Sequence, residues 1–83
     1  MTKKQFGELR RGMVLYHVKN QNADLSPQRW RIVGKMQGSL KTGSAKWPIK
    51  HGLYAYDYLT PDNMDLLELN ERAAARRRKE MAR

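Results

Sequence analysis

The chain is expected to fold as a mainly β domain, a small SH3-like antiparallel barrel of four to five strands with a basic C-terminal α-helix. Three observations predict it. Short stretches alternate apolar and polar residues at period two between turn residues. The stretch Lys46–Asn63 gathers Trp47, Tyr54, Tyr56, Tyr58, Pro48, Pro61 and His51, a dense aromatic segment opened and closed by turn formers. The final run ERAAARRRKEMAR is built almost entirely of strong helix formers.

Taken in order, residues 1–8 read as a flexible, partly basic lead, residues 9–69 as the small β domain, and residues 70–83 as the basic helix. Met13–Val18 makes a first strand with Val14, Tyr16 and Val18 on one face and Met13, Leu15 and His17 on the other. Lys19–Ser26, rich in Asn and Gln, reads as a polar loop. Gln28–Met36 makes a second strand, with Trp30 and Ile32 on one side and Arg29, Arg31 and Val33 on the other. That is the pattern of a sheet with one wet face, here a cationic one. Gly34 marks a bend near its end. Gln37–Ala45 reads as a mobile Gly/Ser hairpin loop without any phosphate-cradle motif.

Trp47–Lys50 is a short third strand whose Pro48 confines it to an edge or a strand start, and His51-Gly52 turns the chain into a fourth strand over 53–59. There Leu53, Ala55, Asp57 and Leu59 share one face, and Tyr54, Tyr56 and Tyr58 the other. Burial of the tyrosine row is the favoured reading, since Trp30, Trp47 and the tyrosines would form the core of so small a domain. The opposite arrangement makes the tyrosines a binding surface. After Thr60, one reading is a single helix from Pro61 to Met81. The preferred one is a helical turn at 61–64, a closing strand at 66–69, and a helix over 71–81 capped by Asn70. The thin apolar stripe of that helix (Ala74, Met81, with Ala73 beside them) predicts loose docking or projection.

Composition narrows the function. A chain of 83 residues buries only about 60–65% of the surface its unfolded form exposes, so the core must be small. The absence of cysteine suits a reducing compartment. No apolar run approaches a membrane span of about 20 residues, and the start lacks the apolar centre of a signal peptide. A cytoplasmic protein is expected. Seventeen Lys and Arg stand against eight Asp and Glu. Between Leu25 and Tyr56 there is no acid, while Arg29, Arg31, Lys35, Lys41, Lys46 and Lys50 are positive. A second cluster, Arg72, Arg76, Arg77, Arg78, Lys79 and Arg83, lies near the C-terminus. Such clustering predicts an anionic partner.

Catalysis finds little support. Ser26, Ser39 and Ser44 lie in loops without a nucleophile elbow, and neither His17 nor His51 has a carboxylate at a spacing that would orient it. No cofactor or metal is expected. The interleaved aromatics and cations point instead to polyanion binding. Arg29, Arg31, Lys35, Lys41, Lys46 and Lys50 would contact phosphates and Tyr54 and Tyr56 would stack bases, with Arg76, Arg77 and Arg78 adding sequence-independent contacts.

The residues Lys46, Trp47, Pro48, Lys50, Gly52, Leu53, Tyr56, Tyr58, Thr60 and Asn63, preceded by Trp30–Gly34, form a pattern that is similar to small proteins encoded by tailed bacteriophages. The resemblance covers residues 28–69 and implies an origin in a bacterial host cell more than a mechanism. The leading expectation is a non-enzymatic module that engages nucleic acid, DNA or RNA. The rival is a protein that binds an acidic host protein surface, in the transcription or nuclease machinery, and modulates it. A third is a small virion or assembly component.

Overall fold

A computed structural model describes residues 1–82 of the chain. The elements run α1 (Lys3–Gly7), β1 (Val14–Gln21), β2 (Pro27–Ile32), β3 (Trp47–Lys50), β4 (Tyr56–Leu59), a 3-10 turn (Met64–Leu66), β5 (Leu67–Glu68) and α2 (Glu71–Met81). The five strands form one antiparallel sheet in the order β4-β3-β2-β1-β5. The mainly β fold with a C-terminal helix is as expected, but the sheet is open. β4 and β5 are its two edges, so the expected barrel does not close.

The core lies under one face of the sheet. Leu15, Trp30, Ile32, Trp47, Ile49, Leu59 and Leu67 point into it, and Phe6, Leu9 and Met64 cover it from below. Each of the large side chains sealed there adds roughly 1.5–3 kcal/mol of hydrophobic stabilisation. The N-terminal segment, expected to be flexible, is part of this core. Thr2 caps α1 through a capping box with Gln5, and the buried Phe6 meets Trp47 edge-on at 6.5 Å. The Trp47 indole N–H donates to the Phe6 carbonyl at 3.0 Å, which ties the lead to the third strand.

Three strand boundaries differ from expectation, each for a local reason. β1 continues through Gln21, where a polar loop was expected, because a bulge lies between Tyr16 and Gln21. A bulge strips amides and carbonyls of cross-strand partners, and here both sets are satisfied. His17 Nδ1 accepts from the Lys19 and Asn20 amides at 3.0 and 2.9 Å, and the Arg78 guanidinium donates to the carbonyls of Val18 and Lys19.

β2 stops at Ile32. The chain bends at Gly34, where a Cβ would stand 2.8 Å from Pro48 Cγ. β4 starts only at Tyr56. The pairing of Lys50 with Tyr56 leaves residues 51–55 to make the reversal, closed by bonds from His51 N to Ala55 O and from Ala55 N to Gly52 O. The Gly/Ser loop, expected to be mobile, is knitted together. Gln37 and Lys46 exchange backbone bonds, and Ser39 and Ser44 are joined through backbone and hydroxyl. Gly38 has φ +75°, and a Cβ there would lie 2.3 Å from the Ser44 carbonyl oxygen, so no other residue fits without rearrangement.

Beyond Thr60 the turn, strand and capped helix follow the preferred reading. Asn70 Oδ1 accepts from the amides of Arg72 and Ala73, and the short strand pairs Leu67 with His17 and Glu68 with Tyr16. Neither loose docking nor projection describes α2. It packs against β1 and β5 on the sheet face opposite the main core. Val18 continues the outward Val14/Tyr16 face, yet it is fully buried, as is Ala74 of α2. Pro27 of β2 is also covered, in a hollow shared with Ala75 and Lys79. One half of the outward face is thus roofed by the helix, and the other half is bare.

Candidate nucleic-acid interface

The bare half is formed by β2, β3 and β4. Its outward positions follow from strand alternation and pairing. Val14, Arg31, Lys50 and Tyr56 stand directly across from one another on four adjacent strands, Arg29 lies opposite Tyr16, and Pro48 opposite Tyr58. Neighbouring strands lie about 4.8 Å apart, so Arg31 and Tyr56, two strands apart, are separated by roughly 10 Å at the backbone. Every outward residue of β2, β3 and β4 is a cation, a tyrosine or a proline. Two carboxylates border this side: Asp24 in the β1–β2 turn, which feels the charge of Arg29, and Glu68 on β5, which is paired with Arg77 at 2.8 Å. The Arg77–Glu68 contact is the one ion pair among the described residues, so Arg31 and Lys50 have no carboxylate partner, and Arg29 has only the more distant Asp24.

A shallow groove of about 340 Å³ runs between Arg29, Arg31 and Lys50 and the β3–β4 turn at His51, Gly52 and Leu53. It is at the small end of ligand clefts. Beside it the tyrosine row, for which burial was favoured, lies outside. Tyr54 is 87% exposed, Tyr56 66% and Tyr58 41%, and Leu53 on the adjoining turn is 74% exposed. The register is the reason. Pairing of Trp47 with Leu59 and of Ile49 with Asp57 turns Leu59 onto the core and the tyrosines of β4 away from it. Asp57, at the sheet edge, remains in water and accepts the Tyr58 amide at 2.7 Å. Tyr54 leaves the row altogether, because residues 52–54 belong to the reversal.

The cations and rings on this face are paired. The Lys46 ammonium lies 4.2 Å above the Tyr58 ring centroid, and Lys50 lies 5.5 Å from that of Tyr56. Each contact contributes about 0.5–1 kcal/mol at an exposed site and sets a positive charge beside an aromatic plane. Arg29, Arg31, Lys46, Lys50 and Tyr56 are therefore brought together. Lys35, in the bend after β2, and Lys41, in the tip of the Gly/Ser loop, are exposed but lie outside these strands.

The helical cluster divides. Arg76 is exposed, as are Arg72 and Lys79, while Arg77 and Arg78 are half-buried and engaged within the chain. Arg77 donates to Glu68 Oε1 and to the Asp65 carbonyl, both at 2.8 Å, and Arg78 holds the β1 bulge. Their assignment as free phosphate contacts is corrected, since they clamp α2 to the sheet. Arg83 lies outside the described residues.

Neither histidine stands in the outward row, although His51 lines one end of the groove. The His17 and His51 rings flank the Trp30 indole at 5.4 and 5.5 Å. Trp30 N–H donates to Gln28 Oε1 at 2.9 Å, and that oxygen also accepts from Asn20 Nδ2 at 3.2 Å. His17 is 6% exposed, and its pKa is lowered by burial first, then by the positive field of Lys19 and by His51. Among the described residues no group of three His, Asp or Glu side chains stands close enough to hold a metal ion, and no helix is long and apolar enough to cross a membrane. Comparison of the chain with protein-family models, with curated proteins and with solved structures found no match.

Proposed function

We propose that this chain is a small non-enzymatic module that binds nucleic acid through the outward face of β2, β3 and β4, working in a bacterial cytoplasm in the phage setting that its central motif resembles. The observation that carries the reading is the acid-free row Arg31, Lys50 and Tyr56, with Arg29 beside it, on three rigid paired strands. A backbone already fixed by a sheet loses little freedom on contact, so less of the binding free energy goes into ordering the chain. Phosphates would lie against the guanidinium and ammonium groups, where release of counterions supplies the driving force.

The test is a titration of labelled DNA and RNA oligonucleotides at several salt concentrations, with wild type and with Arg29→Ala/Arg31→Ala. Binding should weaken steeply with salt. In the double variant the slope of log K on log salt should be shallower by roughly 1.4–1.8 units, from two phosphates at 0.7 to 0.9 each. Salt-insensitive or absent binding would point instead to the rival partner, an acidic host protein surface.

A further inference from the structure

Resting on that reading, we infer that the ligand of this face is a single strand with unstacked bases, and that Tyr56 is its principal stacking platform. The geometry of the face carries the inference. Tyr56 is two-thirds exposed on a strand that presents it to open solvent, and Lys50 stands at its ring. An exposed aromatic plane offers a base only its face. In a duplex the faces of each base are covered by its neighbours, and only the edges remain accessible in the grooves.

Spacing argues the same way. Tyr56 and Tyr58 project from the same side of β4 two residues apart, a separation of about 6.8 Å at the backbone. Consecutive nucleotides on one strand of a duplex advance about 3.4 Å, half that distance, so successive stacked bases cannot lie on both rings. An extended strand with splayed bases can. Reading a duplex in its major groove takes a protruding helix or a two-stranded ribbon. The cations here belong instead to the middle of a sheet, with α2 lying along the neighbouring half of the same face. The groove bounded by Arg29, Arg31, Lys50 and Leu53 then leads the sugar–phosphate chain past the rings. Lys46 and Lys50, each at a tyrosine, put a positive charge within reach of the phosphate that follows each stacked base. Arrangements of this kind bind single strands with little sequence preference, because every base has a π face.

The experiment compares four probes of equal length at one salt concentration: oligodeoxythymidylate, oligoriboadenylate, a DNA duplex, and an abasic strand that carries the phosphates without bases. The proteins are wild type, Tyr56→Ala, Tyr56→Phe and Lys50→Ala, with folding checked by near-UV circular dichroism. The thymidylate and adenylate strands should bind at least tenfold more tightly than the duplex or the abasic strand. Tyr56→Ala should lose roughly 5-fold to 100-fold on them and nothing on the abasic strand, and Tyr56→Phe should restore the loss. Lys50→Ala should weaken all four probes. Duplex or abasic binding equal to that of the base-bearing strands, or a folded Tyr56→Ala with wild-type affinity, overturns this inference and leaves nucleic-acid binding standing. Absence of binding to every probe overturns both.

Discussion

His17 acts through its unprotonated nitrogen. Nδ1 accepts two backbone amides of the β1 bulge, which it can do only in the neutral ring with the proton on Nε2. Burial, with Lys19 and His51 behind it, lowers the pKa from 6.5, so the unfolded chain takes up this proton more readily than the folded one. The stabilisation from neutral His17 is therefore complete above about pH 6.5 and is lost progressively as pH falls from there toward the lower folded value. The thermal midpoint should decline through that window, and the His17 ring should titrate below 6.5 by NMR. A ring titrating at or above 6.5 contradicts the account. Trp30 belongs to the same cluster, and its removal leaves a cavity between the two imidazoles under β2. Trp30→Ala should cost about 3–5 kcal/mol in chemical denaturation, a large share of the margin of so small a domain.

Among the elements, α2 depends on two of its arginines and not on the third. Arg78→Ala would orphan two bulge carbonyls and should destabilise by about 1–3 kcal/mol. Arg77→Ala breaks a partly exposed pair with Glu68 and should cost about 1 kcal/mol or less. Arg76→Ala removes the same charge from an exposed site and should stay within about 0.5 kcal/mol. Urea midpoints of the three variants check the ranking. The β4 edge is blunted as well. Asp57 Oδ1 takes the Tyr58 amide, and Asn63 Nδ2 donates to the Tyr58 carbonyl at 3.0 Å. With both Tyr58 groups satisfied, this part of the edge offers less to a second strand. Asp57→Ala/Asn63→Ala should raise self-association in light scattering at high protein concentration.

What the sequence made legible follows locality. The split of Trp30 and Ile32 from Arg29 and Arg31 is a neighbour-to-neighbour alternation, and the Asn70 cap lies within three residues of its amides. Both could be read directly. The β1 bulge looked like a loop because Lys19, Asn20 and Gln21 are polar, and the group that holds its carbonyls, Arg78, is about 60 residues away. Period two could not choose a face for the tyrosines, since both faces carried apolar side chains. The choice was made by register with β3 and by Phe6, a lone aromatic in a basic lead that gave no sign of filling a core. Arg77 and Arg78 carried no signal separating them from Arg76, because it is their partners on β1 and β5 that distinguish them.

For the whole molecule, the formal charge of +9 is spread over surfaces of different rigidity, and binding should reflect rigidity more than count. Arg29→Ala/Arg31→Ala should weaken nucleic-acid binding more than neutralising the three exposed helix cations, Arg72, Arg76 and Lys79. Substituting those three, rather than truncating the helix, leaves the Arg77 and Arg78 clamps intact. Parallel salt titrations give the comparison, and the reverse ranking would make the sheet a carrier for the helix. The strand order adds a constraint of another kind. β1 to β4 form a meander in which each strand pairs with its sequence neighbour, whereas β5 returns across the chain to pair with β1. During synthesis from the N-terminus, the meander is therefore complete as soon as Leu59 has emerged. Until Leu67 and Glu68 follow, β1 is an open edge with Tyr16 and Val18 beside it. A nascent chain paused in that interval presents an unpaired strand edge to other chains, and the arrival of Leu67 and Glu68 closes it.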